Sequence, residues 1–254
     1  MVTPDTSNTI VIVPARMSST RLPGKPLADI CGQPMIVHVW RRAIEAGVGP
    51  VLVAVAEQEI VDVVAAAGGD AVVTDPDLPS GSDRICAALQ ARDPNRQFRF
   101  IINLQGDLPL MDPKSISQCL APLANEGMQI STLAAEITDR EEIANPDVVK
   151  ALADFTPGSD VAVAQDFVRQ VPEDASGPFW HHIGIYAYRR EALEAFVGLP
   201  VSPRERERKL EQMRAMDNGL PIAVVRVDTI PFGVDTPADL DRARREIGET
   251  QDTI

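Results

Sequence analysis

The chain has 254 residues, with 24 Lys and Arg against 37 Asp and Glu and a formal net charge of -13. An apolar fraction of 44% supplies a sizeable core, and no stretch approaches the roughly 20 apolar residues that span a bilayer, so no membrane insertion is expected. The acidic balance disfavours nucleic acid and anionic membranes, which are bound through accumulated Lys and Arg.

In chain order, "MVTPDTSNT" has neither the basic nor the apolar segment of a secretory leader. The apolar run Ile10 to Val13 reads as a first strand. It leads into "PARMSSTRLPGKPL", a loop with three cations, Arg16, Arg21 and Lys25, and no acid. "MIVHVWRRAIEAG" reads as a helix ending at Gly47. "VLVAVA" (51–56) is a strand, "EQEIVDVVAAAGG" a helix, "DAVVT" (70–74) a strand, Ser82 to Ala91 a helix and "FRFIINLQ" (98–105) a strand. Such alternation of near-continuous apolar strands with helices predicts a Rossmann-like α/β fold, a mainly parallel sheet with ligands at the carboxyl ends of its strands.

Beyond Asp112 the pattern loosens. "PKSISQCLAPLANEG" reads as a helix and "MQISTLAAEI" (128–137) as a strand, and a Pro-, Gly- and Asp-rich segment at about 155–180 reads as an inserted arm. "FWHHIGIYAYRREAL" is a strand entering a helix, "SPRERERKLEQMRAMDNG" one charged helix with a Ser N-cap, and "PIAVVRVDTIPFGVDTPADLDRARREIG" a strand, a loop and a last helix. A single domain over 1–254 is expected. Cys31, Cys86 and Cys119 are odd in number and lack CxxC spacing, which argues against disulfides or a zinc knuckle and for a reducing, cytoplasmic setting.

Neither a Walker loop nor a dinucleotide fingerprint is present. Cations must then do the work of holding phosphate, and Arg16, Arg21 and Lys25 can do so through forked guanidinium contacts and a point charge. In "NLQGDLP", Asp107 follows the fourth strand either as a Mg²⁺ ligand or as part of a turn. Asp235 in "GVDTPADL" is either a second carboxylate for that metal or a helix N-cap. Alternation along "HHIGIYAY" places His182, Gly184, Tyr186 and Tyr188 on one face, which either reads sugar hydroxyls or is an ordinary mixed strand. "PSGSDR" caps a helix or contacts a base.

Together these segments resemble the 3-deoxy-manno-octulosonate (Kdo) cytidylyltransferases, over nearly the whole chain. The resemblance is carried by "IVPARMSSTRLPGKPL", "MIVHV", "AAGGDAVVT", "SGSDR", "NLQGD", "NPDVVK", "HHIGIYAY", "LEQMRA" and "GVDTPADL". It implies a nucleotide-diphospho-sugar-transferase-like fold and attack of the sugar's anomeric hydroxyl on the α-phosphorus of CTP, giving CMP-Kdo and pyrophosphate for lipopolysaccharide biosynthesis. It further implies catalytic roles for Arg16, Lys25 and Asp107, with Ser19 and Arg21 also on the phosphates and Ser80, Gly81, Ser82 and Arg84 near the cytosine. Gln105, His182, Tyr186, Glu211 and Gln212 would lie near the sugar acid, Asp107 and Asp235 would hold Mg²⁺, and the arm would contribute to a homodimer.

The chain departs from the family pattern near its ligand loops. Gln165 and Asp166 stand where a hydroxyl residue and an arginine are usual, Arg208 where a glutamate is usual, Val55 and Ala56 at polar positions, and Asp75 and Leu78 in place of Arg and His. Three readings follow: a Kdo enzyme with compensating contacts, a cytidylyltransferase for a related acid such as 8-amino-Kdo, or a non-catalytic CTP-binding homologue.

Overall fold

A computed structural model describes residues 2–171 and 177–251. The chain groups into two compact units, one of Asp5–Ser117 with Pro231–Ile254 and the other built on Gln118–Ile230.

In the first unit β1 (Thr9–Ala15) is followed by a small hairpin, β2 (Asp29–Ile30) and β3 (Gln33–Pro34), and by α1 (Met35–Glu45). Next come β4 (Val51–Val55), α2 (Gln58–Ala66), β5 (Asp70–Val73), α3 (Gly81–Arg92), β6 (Phe100–Asn103) and α4 (Pro113–Leu120). β5, β4, β1 and β6 lie side by side and all parallel. β1, β4 and β6 are buried along their whole length, as their unbroken apolar runs require once helices cover both faces. Parallel pairing sends the chain out of β1 and β6 at the same edge, which is where a doubly wound sheet places its ligands. The two exits meet closely: a Cβ on Gly106 would stand 2.7 Å from the Pro14 carbonyl oxygen. The hairpin is absent from the sequence reading because two-residue strands carry no periodicity.

The second unit contains β7 (Ile130–Glu136), α5 (Arg140–Ala144), β8 (Lys150–Ala153), β9 (Val161–Val168), β10 (Trp180–Arg189), α6 (Arg190–Gly198), α7 (Pro203–Arg208), α8 (Met213–Asp217) and β11 (Ile222–Val227). β10 pairs with β7, β7 with β11, β11 with β9 and β9 with β8, which returns to β10, so the five strands form a closed ring of pairings. Only β7 and β11 run parallel. The arm expected at about 155–180 includes β9, and its residues 172–176 lie outside the described residues.

The charged helix expected over "SPRERERKLEQMRAMDNG" is two helices. Ser202 caps α7 in a reciprocal capping box with Glu205, but Lys209 adopts a left-handed conformation (φ 55°) that ends the helix. Leu210 and Met213 then turn inward as buried residues, and α8 begins after a four-residue connection. The chain returns to the first unit through α9 (Pro237–Gln251), whose Leu240, Ala243 and Ile247 bury against Ile30, Met35 and Val234.

Gly106→Ala is expected to lower stability by about 1–3 kcal/mol in urea unfolding, because the new methyl group meets a backbone atom that must shift. Gly184→Ala, whose methyl would meet nothing within 4 Å, is expected to stay within about 0.5 kcal/mol.

Candidate functional site

The loop after β1 lines a cavity of about 390 Å³ in the first unit. Ten of the expected residues come together there: Arg16, Ser19, Arg21, Lys25, Ser80, Gly81, Arg84, Gln105, Asp107 and Asp235. Ser82 does not; it is buried within α3. The loop is pinned by hydrogen bonds, near and distant in sequence. Met17 N donates to Glu57 Oε2 (3.0 Å), Leu22 N to Ser19 Oγ (3.4 Å) and Gly24 N to the Met17 carbonyl (3.3 Å). Gly24 turns the chain at φ 68°, which favours glycine, and aims Lys25 inward. Glu57 escaped the sequence reading because nothing local marks a carboxylate whose partner is a backbone amide forty residues away.

Lys25 organises the cavity. Its ammonium donates to Asp107 Oδ2 (2.7 Å) and to Asp235 Oδ1 (3.0 Å), while Arg21 Nη2 lies 3.0 Å from Asp235 Oδ2. Burial pulls the Lys25 pKa down, but the Asp107 and Asp235 carboxylates outweigh it and hold the group above its ordinary value, so it stays charged. Two carboxylate oxygens converging on one cationic atom form the donor set that Mg²⁺ takes when phosphate oxygens and water complete its shell. Among the described residues no cluster of three or more His, Cys, Asp or Glu could hold a metal by protein ligands alone.

The two readings of Asp235 are separated here. Thr236 Oγ1 accepts from Asp239 N (3.2 Å), and Asp239 Oδ2 accepts from Asp235 N (3.1 Å) and Thr236 N (2.8 Å). Thr236 and Asp239 therefore cap α9, and the Asp235 carboxylate is left to the cavity. Val234 N donates to the Asp107 carbonyl (2.9 Å), which ties the two acid-bearing loops together through the backbone.

Across the cavity Ser80 is both cap and lining: its Oγ accepts from Asp83 N (3.2 Å) and donates to Asp83 Oδ2 (2.6 Å). Arg84 is buried and donates to Thr74 Oγ1 (2.6 Å) and to the Asp75 (3.2 Å) and Pro76 (3.4 Å) carbonyls. It thereby shapes the loop that carries Leu78 to the cavity wall. Burial, then the charge of Arg16, lowers its pKa from a very high ordinary value without discharging it. Gln105 Nε2 donates to Asn103 Oδ1 (3.1 Å), which fixes the amide at the end of β6.

His182, Tyr186, Glu211 and Gln212 lie in the second unit. β10 carries two extra residues between Ile183 and Tyr186 relative to β7. An even insertion preserves the face, so His182 and Tyr186 remain neighbours, with ring centroids 5.5 Å apart, and Tyr188 stacks on Tyr186 at 5.9 Å. Thr132 Oγ1 lies 3.0 Å from His182 Nε2 and 2.7 Å from the Ile185 carbonyl. Burial, and then His181, pushes the His182 pKa down to about 3, so the ring is neutral. Burial, then Tyr188 and Glu211, raises the Tyr186 phenol well above its ordinary value, leaving a neutral donor. Gln212 is buried, and its Nε2 has no hydrogen-bond partner among the described residues. His181 turns away and pairs through Nδ1 with Glu142.

Two of the positions read from the sequence as departures, 166 and 208, meet. Asp166 Oδ1 accepts from Arg208 Nη1 at 2.7 Å and from Arg204 Nη1 at 3.3 Å. Gln165 instead donates to Asp154 Oδ2 (2.6 Å).

A cytidylyltransferase family profile matches residues 10–224. A 3-deoxy-manno-octulosonate cytidylyltransferase of Parvibaculum lavamentivorans is 59% identical over 235 residues, 92% of this chain and 91% of the relative. One of Paramagnetospirillum magneticum is 56% identical over 235 residues, 92% of this chain and 96% of the relative. The chain belongs to the 3-deoxy-manno-octulosonate cytidylyltransferase family. A solved structure of a CMP:2-keto-3-deoxy-manno-octonic acid synthetase complexed with CTP is 36% identical with a TM-score of 0.87, covering 96% of this chain and all of that one. The nucleotidyltransferase-like α/β fold expected from the sequence is thus that of a cytidylyltransferase.

A neutral His182 leaves a plain signature. Its ring resonances in an NMR pH titration are expected not to move between pH 5 and 8, with protonation near pH 3; a midpoint near the ordinary 6.5 would contradict its burial. Because the folded pKa lies below the unfolded one, this group's contribution to stability is complete above about pH 6.5 and fades as pH falls toward 3.

Proposed function

We propose that the chain activates Kdo with CTP, releasing pyrophosphate and forming CMP-Kdo for lipopolysaccharide biosynthesis. The observation that carries this reading is the convergence of Asp107 and Asp235 on Lys25 Nζ inside a cavity that Arg16 and Arg21 also line. That arrangement concentrates positive charge for a triphosphate in a protein that is otherwise strongly acidic.

In the reaction the anomeric hydroxyl oxygen of the sugar acid forms a bond to the α-phosphorus of CTP, and its proton passes to water. The bond from that phosphorus to the bridging oxygen of the β-phosphate breaks, and pyrophosphate leaves with the electron pair. No side-chain nucleophile is required, so catalysis is positioning and charge stabilisation. Arg16, Arg21 and Lys25 hold and neutralise the phosphates, and Arg84 and Ser80 form the wall assigned to the cytosine. Asp107 and Asp235 would hold Mg²⁺, which when bound supplies further neutralisation of phosphate charge. With the carboxylates so engaged, Lys25 would be free to turn to a phosphate oxygen. In the second unit Tyr186, Glu211 and Gln212 are assigned hydrogen bonds to the sugar acid, and His182 takes part as a neutral ring.

The relatives' shared name and the intact triphosphate loop favour the Kdo enzyme over a silent homologue. A homodimer belongs to the proposal, supported by the exposed Val161 and Val163 on β9 within the arm. So does a cytoplasmic location, for which the three free cysteines speak. Among the described residues no helix is long and apolar enough to cross a membrane.

Pyrophosphate release from CTP and Kdo with Mg²⁺ tests the reading. Wild type is expected to turn over and Asp107→Ala to lose at least about a hundredfold in kcat, the scale of losing one group that stabilises transition-state charge. Normal turnover in Asp107→Ala would remove its assigned role.

A further inference from the structure

The four-residue connection between α7 and α8 carries Glu211 and Gln212, and an unusual set of bonds holds it. Its first residue, Lys209, is in the left-handed region (φ 55°), a conformation that side chains other than glycine rarely adopt and that persists only where the surroundings impose it. The surroundings here are β9 and the residue after it. Arg208 Nη1 donates to Asp166 Oδ1 (2.7 Å) and to the Phe167 carbonyl (2.9 Å). Arg169 donates in the opposite direction, through Nε to the Arg208 carbonyl (2.9 Å) and Nη2 to the Lys209 carbonyl (3.4 Å). Arg204 Nη1 adds a contact to Asp166 at 3.3 Å while its Nη2 lies 2.5 Å from Asp217 on α8.

The same strand touches the proposed sugar face. Phe167, next to Asp166, is fully buried, and its ring packs edge-on to His182 with centroids 5.0 Å apart. Beyond the connection, Arg214 grips Glu205 with two bonds, Nε to Oε2 (2.9 Å) and Nη2 to Oε1 (2.6 Å), which tie α8 to α7.

We infer that Asp166 and Arg208 are positioning residues for the sugar acid, clamping the 209–212 connection against β9 so that Glu211 and Gln212 meet the ligand in one geometry. The inference rests on the proposed sugar-acid reading of this unit. The two side chains are about a quarter exposed, at 24% and 28%, and pairs that wet contribute little to global stability. Their effect is local: without the clamp Lys209 relaxes toward an ordinary backbone conformation, and the residues after it shift. Positions 166 and 208 are then one coupled pair, an acid on the strand and a cation on the helix.

The experiment is a double-mutant cycle in the pyrophosphate-release assay, with Kdo and CTP varied in turn. Asp166→Asn and Arg208→Gln are each expected to raise KM for Kdo about tenfold while KM for CTP stays within about twofold. The double variant is expected to match the single ones, near tenfold rather than the hundredfold of independent effects. Multiplicative losses, an equal rise in KM for CTP, or unchanged KM for Kdo would overturn the inference. Hydrogen exchange reads the clamp without turnover: amides of 209–213 are expected to exchange about tenfold faster in Asp166→Asn, and unchanged exchange would overturn it. A wild type that releases no pyrophosphate from CTP and Kdo overturns the functional reading instead, and the exchange measurement then still decides the clamp.

Discussion

The ammonium of Lys25 bridging Asp107 and Asp235 is the contact on which the site depends. Held at 2.7 and 3.0 Å from one atom, the two carboxylate oxygens lie within about 6 Å of each other. Like charges at that separation repel by about 3 kcal/mol at an effective dielectric of 20, so the loops after β6 and before α9 need a resident cation between them. Lys25 supplies it from a half-buried position, its side chain 16% exposed, while Arg21 balances the outer oxygen of Asp235.

Much of the first unit serves that bridge. Parallel pairing brings the ends of β1 and β6 to one edge, the bare Cα of Gly106 lets the two loops touch, and the packing of α9 on the β2–β3 hairpin returns Asp235 from the far end of the chain. The capping box of Thr236 and Asp239 is what frees the acid from helix duty. In a chain that is strongly acidic overall, three cations, Arg16, Arg21 and Lys25, are gathered in the one loop that faces these two acids.

The alternating first half was legible in the sequence because its strands are unbroken apolar runs and its helices end on glycine; Gly47 and Gly68 both have positive φ where predicted helices stop. Ten of the expected site residues share one cavity because they sit in loops that follow strands or in the first turn of α3, where order along the chain translates directly into place. Less could be read where the determinant is distant or is a single backbone angle. Nothing in "ERERKLEQ" announces that Lys209 turns left-handed, since Arg169, which caps the freed carbonyls, lies forty residues earlier. The two-residue insertion in β10 was likewise invisible, and the shared face of His182 and Tyr186 survived only because the insertion is even. The pairing of Asp166 with Arg208 was equally hidden, because its partners lie forty-two residues apart on a strand and a helix.

The most direct test of the account is calorimetric titration of CTP in the presence of Mg²⁺ into wild type and Lys25→Met. If Lys25 passes from the carboxylates to the phosphates, wild type binds CTP and the variant binds it at least about tenfold more weakly, the scale of one charge-assisted contact. Equal affinity in the two proteins would show that the bridge only holds the loops together and that the triphosphate is carried elsewhere.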